Sequence, residues 1–129
     1  MPWLELITLL ALLQFAVFGG LVGRARGMYG VKAPAVAGDE MFERYYRVQM
    51  NTLEQLVLFL PALWLAAGHL DHRWVAGLGV VYLLGRIVYF RSYIADPAKR
   101  GMGFGLTFFP TVILIFVALI GVAWDLISA

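Results

Sequence analysis

The sequence predicts an all-α fold, a four-helix bundle embedded in a membrane. Three observations lead there. The chain is 62% hydrophobic and only 14% charged, with a mean hydropathy of +0.82. A soluble domain of 129 residues has too large a surface-to-volume ratio to hide that much apolar area. Four apolar stretches follow one another, at about 3–22, 48–69, 74–95 and 105–127, and about 20 such residues cross a hydrocarbon core of about 30 Å. The cations, finally, are sorted by side: Arg24, Arg26, Lys32, Arg44, Arg47, Arg91, Lys99 and Arg100 lie in or beside the first and third connections, and only Arg73 lies beside the second.

The first helix is expected over about 3–22. It carries Glu5 but no Lys or Arg at its start, and no A-x-A site ends it, so a retained helix fits better than a cleaved signal. Residues 24–38, with Gly27, Gly30, Pro34 and Gly38, read as one long irregular loop. Helix two is placed at 40–69, because Asp39 and Glu40 suit a capped, positively polarised helix start. His69 to Arg73 is a short turn, and helix three is expected over 74–95. Asp96-Pro97 closes it, since proline disfavours helix in the residue before it. Gly101, Gly103 and Gly105 read as a loose link before helix four at 105–127. The whole chain, 1–129, is expected to form a single membrane domain.

The cation pattern puts loops one and three in the cytoplasm and both termini on the other side. Trp3, Trp64, Trp74 and Trp124 all fall toward the non-cytoplasmic ends, as one half of an aromatic belt would. A net charge of +2 without a solvated basic run argues against nucleic acid as a partner. The absence of cysteine excludes disulfides, thiolate metal sites and a cysteine nucleophile. His69 and His72 with Asp71 make an incomplete ligand set, so no metal site is expected. Gly19 and Gly23 form a GxxxG that permits close helix approach, within the chain or between copies.

The stretch from Phe42 to Gln55 departs from a plain membrane helix. At about 100° per residue, Arg44, Arg47, Asn51 and Glu54 share an arc of roughly 80°. Further along, the same face becomes Leu58 and Pro61. One face is thus polar for three turns and then apolar, as a cleft open at the cytoplasmic boundary would require. Ionisable groups in a membrane helix either pair with one another or line a wet cavity. Arg47 and Glu54 could simply neutralise each other, but Asn51 between them is not needed for that. On helix three, Arg86, Tyr89 and Tyr93 lie within about 60° of each other. Taken alone they also fit an interfacial tyrosine belt with a snorkelling arginine. Arginines suit carboxylates and Glu54 suits an ammonium group, so a small zwitterion richer in negative groups matches this wall, with a lipophilic co-substrate at the apolar end. Because the polar stripe stops in the cytoplasmic half, a transport path through the midplane is disfavoured.

Phe42-Glu43-Arg44, Tyr46-Arg47, Gln49, Asn51 and Glu54, followed by Leu58-Phe59-Leu60 and Leu63-Trp64, resemble the second-helix signature of the MAPEG family (membrane-associated proteins in eicosanoid and glutathione metabolism). Val81-Tyr82-Leu83, Arg86, Tyr89-Phe90 and Tyr93 are similar to that family's third helix, in the leukotriene C synthase and microsomal glutathione transferase branch. The resemblance covers nearly the whole chain. It implies a homotrimer with glutathione bound between subunits. Arg47, Asn51, Glu54, Tyr89 and Tyr93 would hold glutathione from one subunit, with Arg26 and Gln49 approaching from its neighbour. Gln49 points about 160° away from Asn51, which suits that division. Arg100 matches the arginine that stabilises the glutathione thiolate, the catalytic role. The resemblance therefore implies a glutathione transferase, with possible glutathione-dependent peroxidase activity, acting on lipophilic electrophiles or lipid hydroperoxides without a metal. A non-catalytic lipid-binding scaffold of the same family is the alternative. Gln55 stands where the leukotriene branch has tyrosine, and Gly27 where it has a second arginine, so general conjugation or peroxide reduction is favoured over leukotriene synthesis.

Overall fold

The computed structural model describes residues 1–129 and contains four long helices joined by short connections: α1 (Pro2–Tyr29), α2 (Glu40–Ala66), α3 (His72–Ala95) and α4 (Gly101–Ser128), with a 3-10 turn at Pro97–Lys99 between the last two. Three of them, α1, α3 and the segment containing α4, are long and apolar enough to cross a membrane. Helix α2 is 27 residues long, but Glu40, Glu43, Arg44, Arg47 and Glu54 make its first half polar.

Neighbouring helices run antiparallel. Trp64 near the end of α2 donates its indole N–H to Thr8 near the start of α1, at 2.9 Å. Arg44 at the start of α2 donates to the carbonyl of Ile94 at the end of α3, at 2.8 Å. Gly121 near the end of α4 lies against His69 in the turn between α2 and α3. The end of the bundle that carries the α1–α2 loop therefore also carries the α3–α4 link.

The core is built on helical periodicity. Leu4, Ile7 and Ala11 of α1 meet Phe59, Ala62 and Leu63 of α2, Val75 and Tyr82 of α3, and Leu114 and Ala118 of α4. Phe59 and Tyr82 stack with ring centroids 3.8 Å apart. Outward-facing side chains such as Leu9, Leu13, Leu65, Phe109 and Ile120 are largely exposed. In water that surface would drive aggregation; in lipid it is the solvated face. The protein is an integral membrane helical bundle.

Four boundaries differ from the sequence expectation, the smallest difference being at α3, which begins at His72 rather than 74. Helix α1 does not stop at residue 22 but runs to Tyr29, where Gly30 takes the left-handed conformation, φ 69, and its N–H returns to the Arg26 carbonyl. Hydropathy locates the edge of lipid, whereas this helix is ended by its capping geometry. Helix α2 ends at Ala66, three residues short of 69, and the chain turns through Ala67–Leu70. Helix α4 begins at Gly101 rather than 105, because its glycines permit close packing against α3. A Cβ on Gly103 would overlap the backbone of Tyr89, and one on Gly85 would come within 2.7 Å of the Leu106 backbone. The irregular loop is correspondingly confined to about 30–39. Asp39 caps α2 by accepting from the Phe42 N–H at 2.9 Å.

Candidate functional site

At the loop end of the bundle the polar face of α2 meets the end of α3. Arg47 and Glu54, two turns apart on α2, approach to 3.3 Å, and both are about half exposed. Asn51 lies between them on the same face and is 7% exposed. Its side-chain Nδ2 points to Glu54 Oε1 at 3.5 Å. On α3, Tyr89 is buried, and its ring stacks on Tyr93 with centroids 5.5 Å apart. Phe18 of α1 and Val48 of α2 pack with Tyr89 beneath this surface.

Beneath it lies Arg86, fully buried. It is neither a snorkelling cation nor part of an interfacial belt. Its Nη1 donates to Asn51 Oδ1 at 2.8 Å and to Thr52 Oγ1 at 3.1 Å, and its Nε donates to Thr107 Oγ1 at 2.9 Å. The guanidinium carbon sits 4.3 Å from the centre of the Tyr89 ring, a cation–π arrangement. These partners are all uncharged. Both threonines are oriented to accept from the arginine. Thr52 donates its hydroxyl proton to the Val48 carbonyl and Thr107 donates its own to Gly103. Each hydroxyl oxygen is left as an acceptor facing the guanidinium. One guanidinium nitrogen, Nη2, has no partner. The arrangement joins α2, α3 and α4 through one side chain.

Arg86 thus links the α2 set, Arg47, Asn51 and Glu54, to the Tyr89–Tyr93 stack of α3. Arg26 and Gln49 lie elsewhere. Gln49 faces α1, its amide nitrogen 3.0 Å from where a Cβ on Gly19 would stand, so Gly19 of the GxxxG serves packing within the chain. Arg26 lies over the Phe42 ring at 4.9 Å and donates to the Ala35 carbonyl at 2.6 Å. Arg100 is the residue immediately before α4. It is exposed and donates to the Pro97 carbonyl at 2.9 Å. Arg44 is drawn away from the wall by Glu40 and by the end of α3. Gln55 is buried and turned into the bundle, not toward this surface.

Sequence reasoning missed Thr52 and Thr107. A signal for Thr107 was present: Gly103, Thr107 and Thr111 form an i, i+4, i+8 stripe of small and hydroxyl residues in an otherwise apolar helix. Along α2, one turn beyond Glu54, the face becomes an apolar groove of about 410 Å³ shared with α4, lined by Val57, Leu58, Pro61 and Leu65 on one side and Ile115 and Leu119 on the other.

Fold and site together define an integral membrane helical bundle with arginine, amide, carboxylate and phenol groups at one end and an apolar groove one turn beyond them. Residues 4–120 match the model of the MAPEG family, and the chain belongs to that family. It is 49% identical to an uncharacterized protein of Synechocystis, sll1147, over 96% of this chain and 90% of that protein. It is 35% identical to human microsomal glutathione S-transferase 2, over 93% of this chain and 82% of the relative. To leukotriene C4 synthase of Cavia porcellus the identity is 41%, over 75% of this chain and 65% of the relative.

Proposed function

We propose that this protein is a membrane-bound glutathione transferase that activates glutathione as its thiolate for attack on lipophilic electrophiles. The observation that carries the reading is the α2 set of Arg47, Asn51 and Glu54 joined through Arg86 to the Tyr89–Tyr93 stack of α3, in a chain whose relatives include a microsomal glutathione S-transferase. Glutathione offers carboxylates for Arg47, an ammonium for Glu54 and a flexible backbone that can lie against the Tyr89–Tyr93 stack. On binding, the Arg47–Glu54 pair would exchange its internal contact for ligand contacts, charge for charge. Arg26 and Gln49, which face away from this wall, would act from a neighbouring copy in a homotrimer. Loops one and three would lie in the cytoplasm, where the cations favour them.

Arg100 is the catalytic residue of this reading. A guanidinium near sulfur favours the charged form, so the thiol loses its proton more readily and the thiolate fraction at neutral pH rises. The thiolate then forms a bond from sulfur to the electrophilic carbon, and the leaving group departs or an epoxide opens. A lipid hydroperoxide is a second acceptor: two glutathione molecules reduce it to the alcohol and water, and their sulfurs join in the disulfide. The groove between α2 and α4, one turn beyond Glu54, has the size and apolar lining for such a lipophilic partner. Purified protein in detergent is expected to conjugate glutathione to a chloronitrobenzene electrophile, with Arg100→Ala much slower. Binding of lipid with no conjugation and no thiolate would favour a non-catalytic scaffold instead.

A further inference from the structure

We infer that Arg86 is a positioning residue: it fixes the orientation of the Asn51 side-chain amide, so that the glutathione surface presents a hydrogen-bond donor at that point and not an acceptor. The inference deepens the proposed function and rests on it.

A carboxamide has two ends of nearly equal shape, an oxygen that accepts and an NH₂ that donates. Which end faces a ligand decides what the ligand must carry there. At Asn51 the choice is made from inside the bundle. Arg86 has only donors, and its Nη1 lies 2.8 Å from Asn51 Oδ1. Turning the amide over would set NH₂ against a guanidinium in a buried site, two donors facing each other with no acceptor to separate them. The oxygen is therefore held inward. The NH₂ is directed outward, where Nδ2 reaches toward Glu54 Oε1 at 3.5 Å and keeps a second N–H for a ligand.

Arg86 is itself held in place. Thr107 Oγ1 on α4 and Thr52 Oγ1 on α2 accept from it at 2.9 and 3.1 Å, and its flat face rests on Tyr89. The polarity then runs one way, from Arg86 through Asn51 to Glu54, with Arg47 closing the far side. A ligand at this wall meets two donors, Asn51 and Arg47, that both point to the one carboxylate, Glu54. That pattern selects a carboxylate or carbonyl beside Asn51 and an ammonium beside Glu54, and it disfavours the same molecule bound in reverse. A lysine at 86 would keep the charge but lose the planar fork that serves three acceptors from two nitrogens.

Asn51 is the only asparagine in the chain, so incorporating ¹⁵N in the asparagine side chain alone gives one NH₂ pair in a heteronuclear spectrum of the protein in detergent. The expected result is a pair that exchanges slowly with water and moves on titration with glutathione. In Arg86→Lys the pair should shift and exchange faster, and glutathione affinity should fall about tenfold or more. The loss should not add to that of Asn51→Ala: the double variant should bind no more weakly than Asn51→Ala alone. If Arg86→Lys does not fold, Thr107→Val, which removes one acceptor of the same arginine, should shift the pair in the same direction by less. Additive losses, or an amide pair in the unmodified chain that rotates and exchanges like a free amide, would overturn the role given to Arg86. An unmodified chain whose amide pair is protected but does not respond to glutathione would overturn the functional reading, and with it this inference.

Discussion

Gly103 on α4 lies directly against the backbone of Tyr89 on α3, so close that no side chain fits between them. One turn further along α4, Thr107 then comes within 2.9 Å of the Arg86 guanidinium, and the buried arginine is bonded on both flanks. Gly85 makes the matching approach from α3 toward Leu106. The stability of the bundle and the geometry of the wall meet at this contact.

Gly103→Ala is accordingly expected to force α3 and α4 apart. Overpacking of this kind costs about 1–3 kcal/mol, and the displaced Thr107 should add a loss of glutathione affinity. A thermal melt in detergent with a parallel binding titration checks both. Gly77→Ala, on α3 at a position with open space around it, is the control and should leave binding unchanged without lowering the melting temperature.

The Arg47–Glu54 pair is half exposed, and pairs of that kind contribute only about 0–1 kcal/mol to stability. Glu54→Gln should therefore leave the melting temperature nearly unchanged. It should weaken glutathione about tenfold or more, because a charge-assisted contact to the ligand ammonium is lost. Affinity for an analogue without the amino group should change far less. Equal losses for both ligands would remove Glu54 from the ammonium site.

Asp71, in the turn before α3, makes a prediction about pH. The Arg73 backbone N–H, and then the Arg73 side chain, hold its carboxyl below the usual carboxylate range. A depressed folded-state value means the contribution is present above the unfolded-state pKa of about 3.9 and is lost as pH falls through the folded value. Acid should therefore loosen the start of α3. Amide exchange at Arg73, followed from pH 5 downward, should rise relative to an Asp71→Asn variant, which has no carboxylate to titrate. Parallel profiles would remove Asp71 as the titrating cap.

Much of this architecture was legible in the sequence because lipid imposes simple rules. Apolar length gave the helices, and the arc shared by Arg47, Asn51 and Glu54 gave the wall, since residues three and four apart lie on one face. What was not legible depended on contacts between distant positions. Arg86 reads as a snorkelling cation when only its own helix is considered. Its burial depends on Asn51, Thr52 and Thr107, 35, 34 and 21 residues away. Gly101 and Gly103 read as a loose link, since glycine is weak in helices; both are helical, and at Gly103 α3 passes within backbone distance. The end of α1 was misplaced because the apolar run stops near residue 22, while hydrogen bonding continues to the Gly30 cap.

Arg100 and the α2–α3 wall are proposed to stabilise a glutathione thiolate at the membrane surface. Glutathione titrated into the purified protein at neutral pH, followed in the ultraviolet thiolate band, tests it directly. A saturable absorbance gain, abolished in Arg100→Ala while Asp71→Asn retains it, is the predicted result. No gain at concentrations where glutathione demonstrably binds, or an undiminished gain in Arg100→Ala, would contradict it.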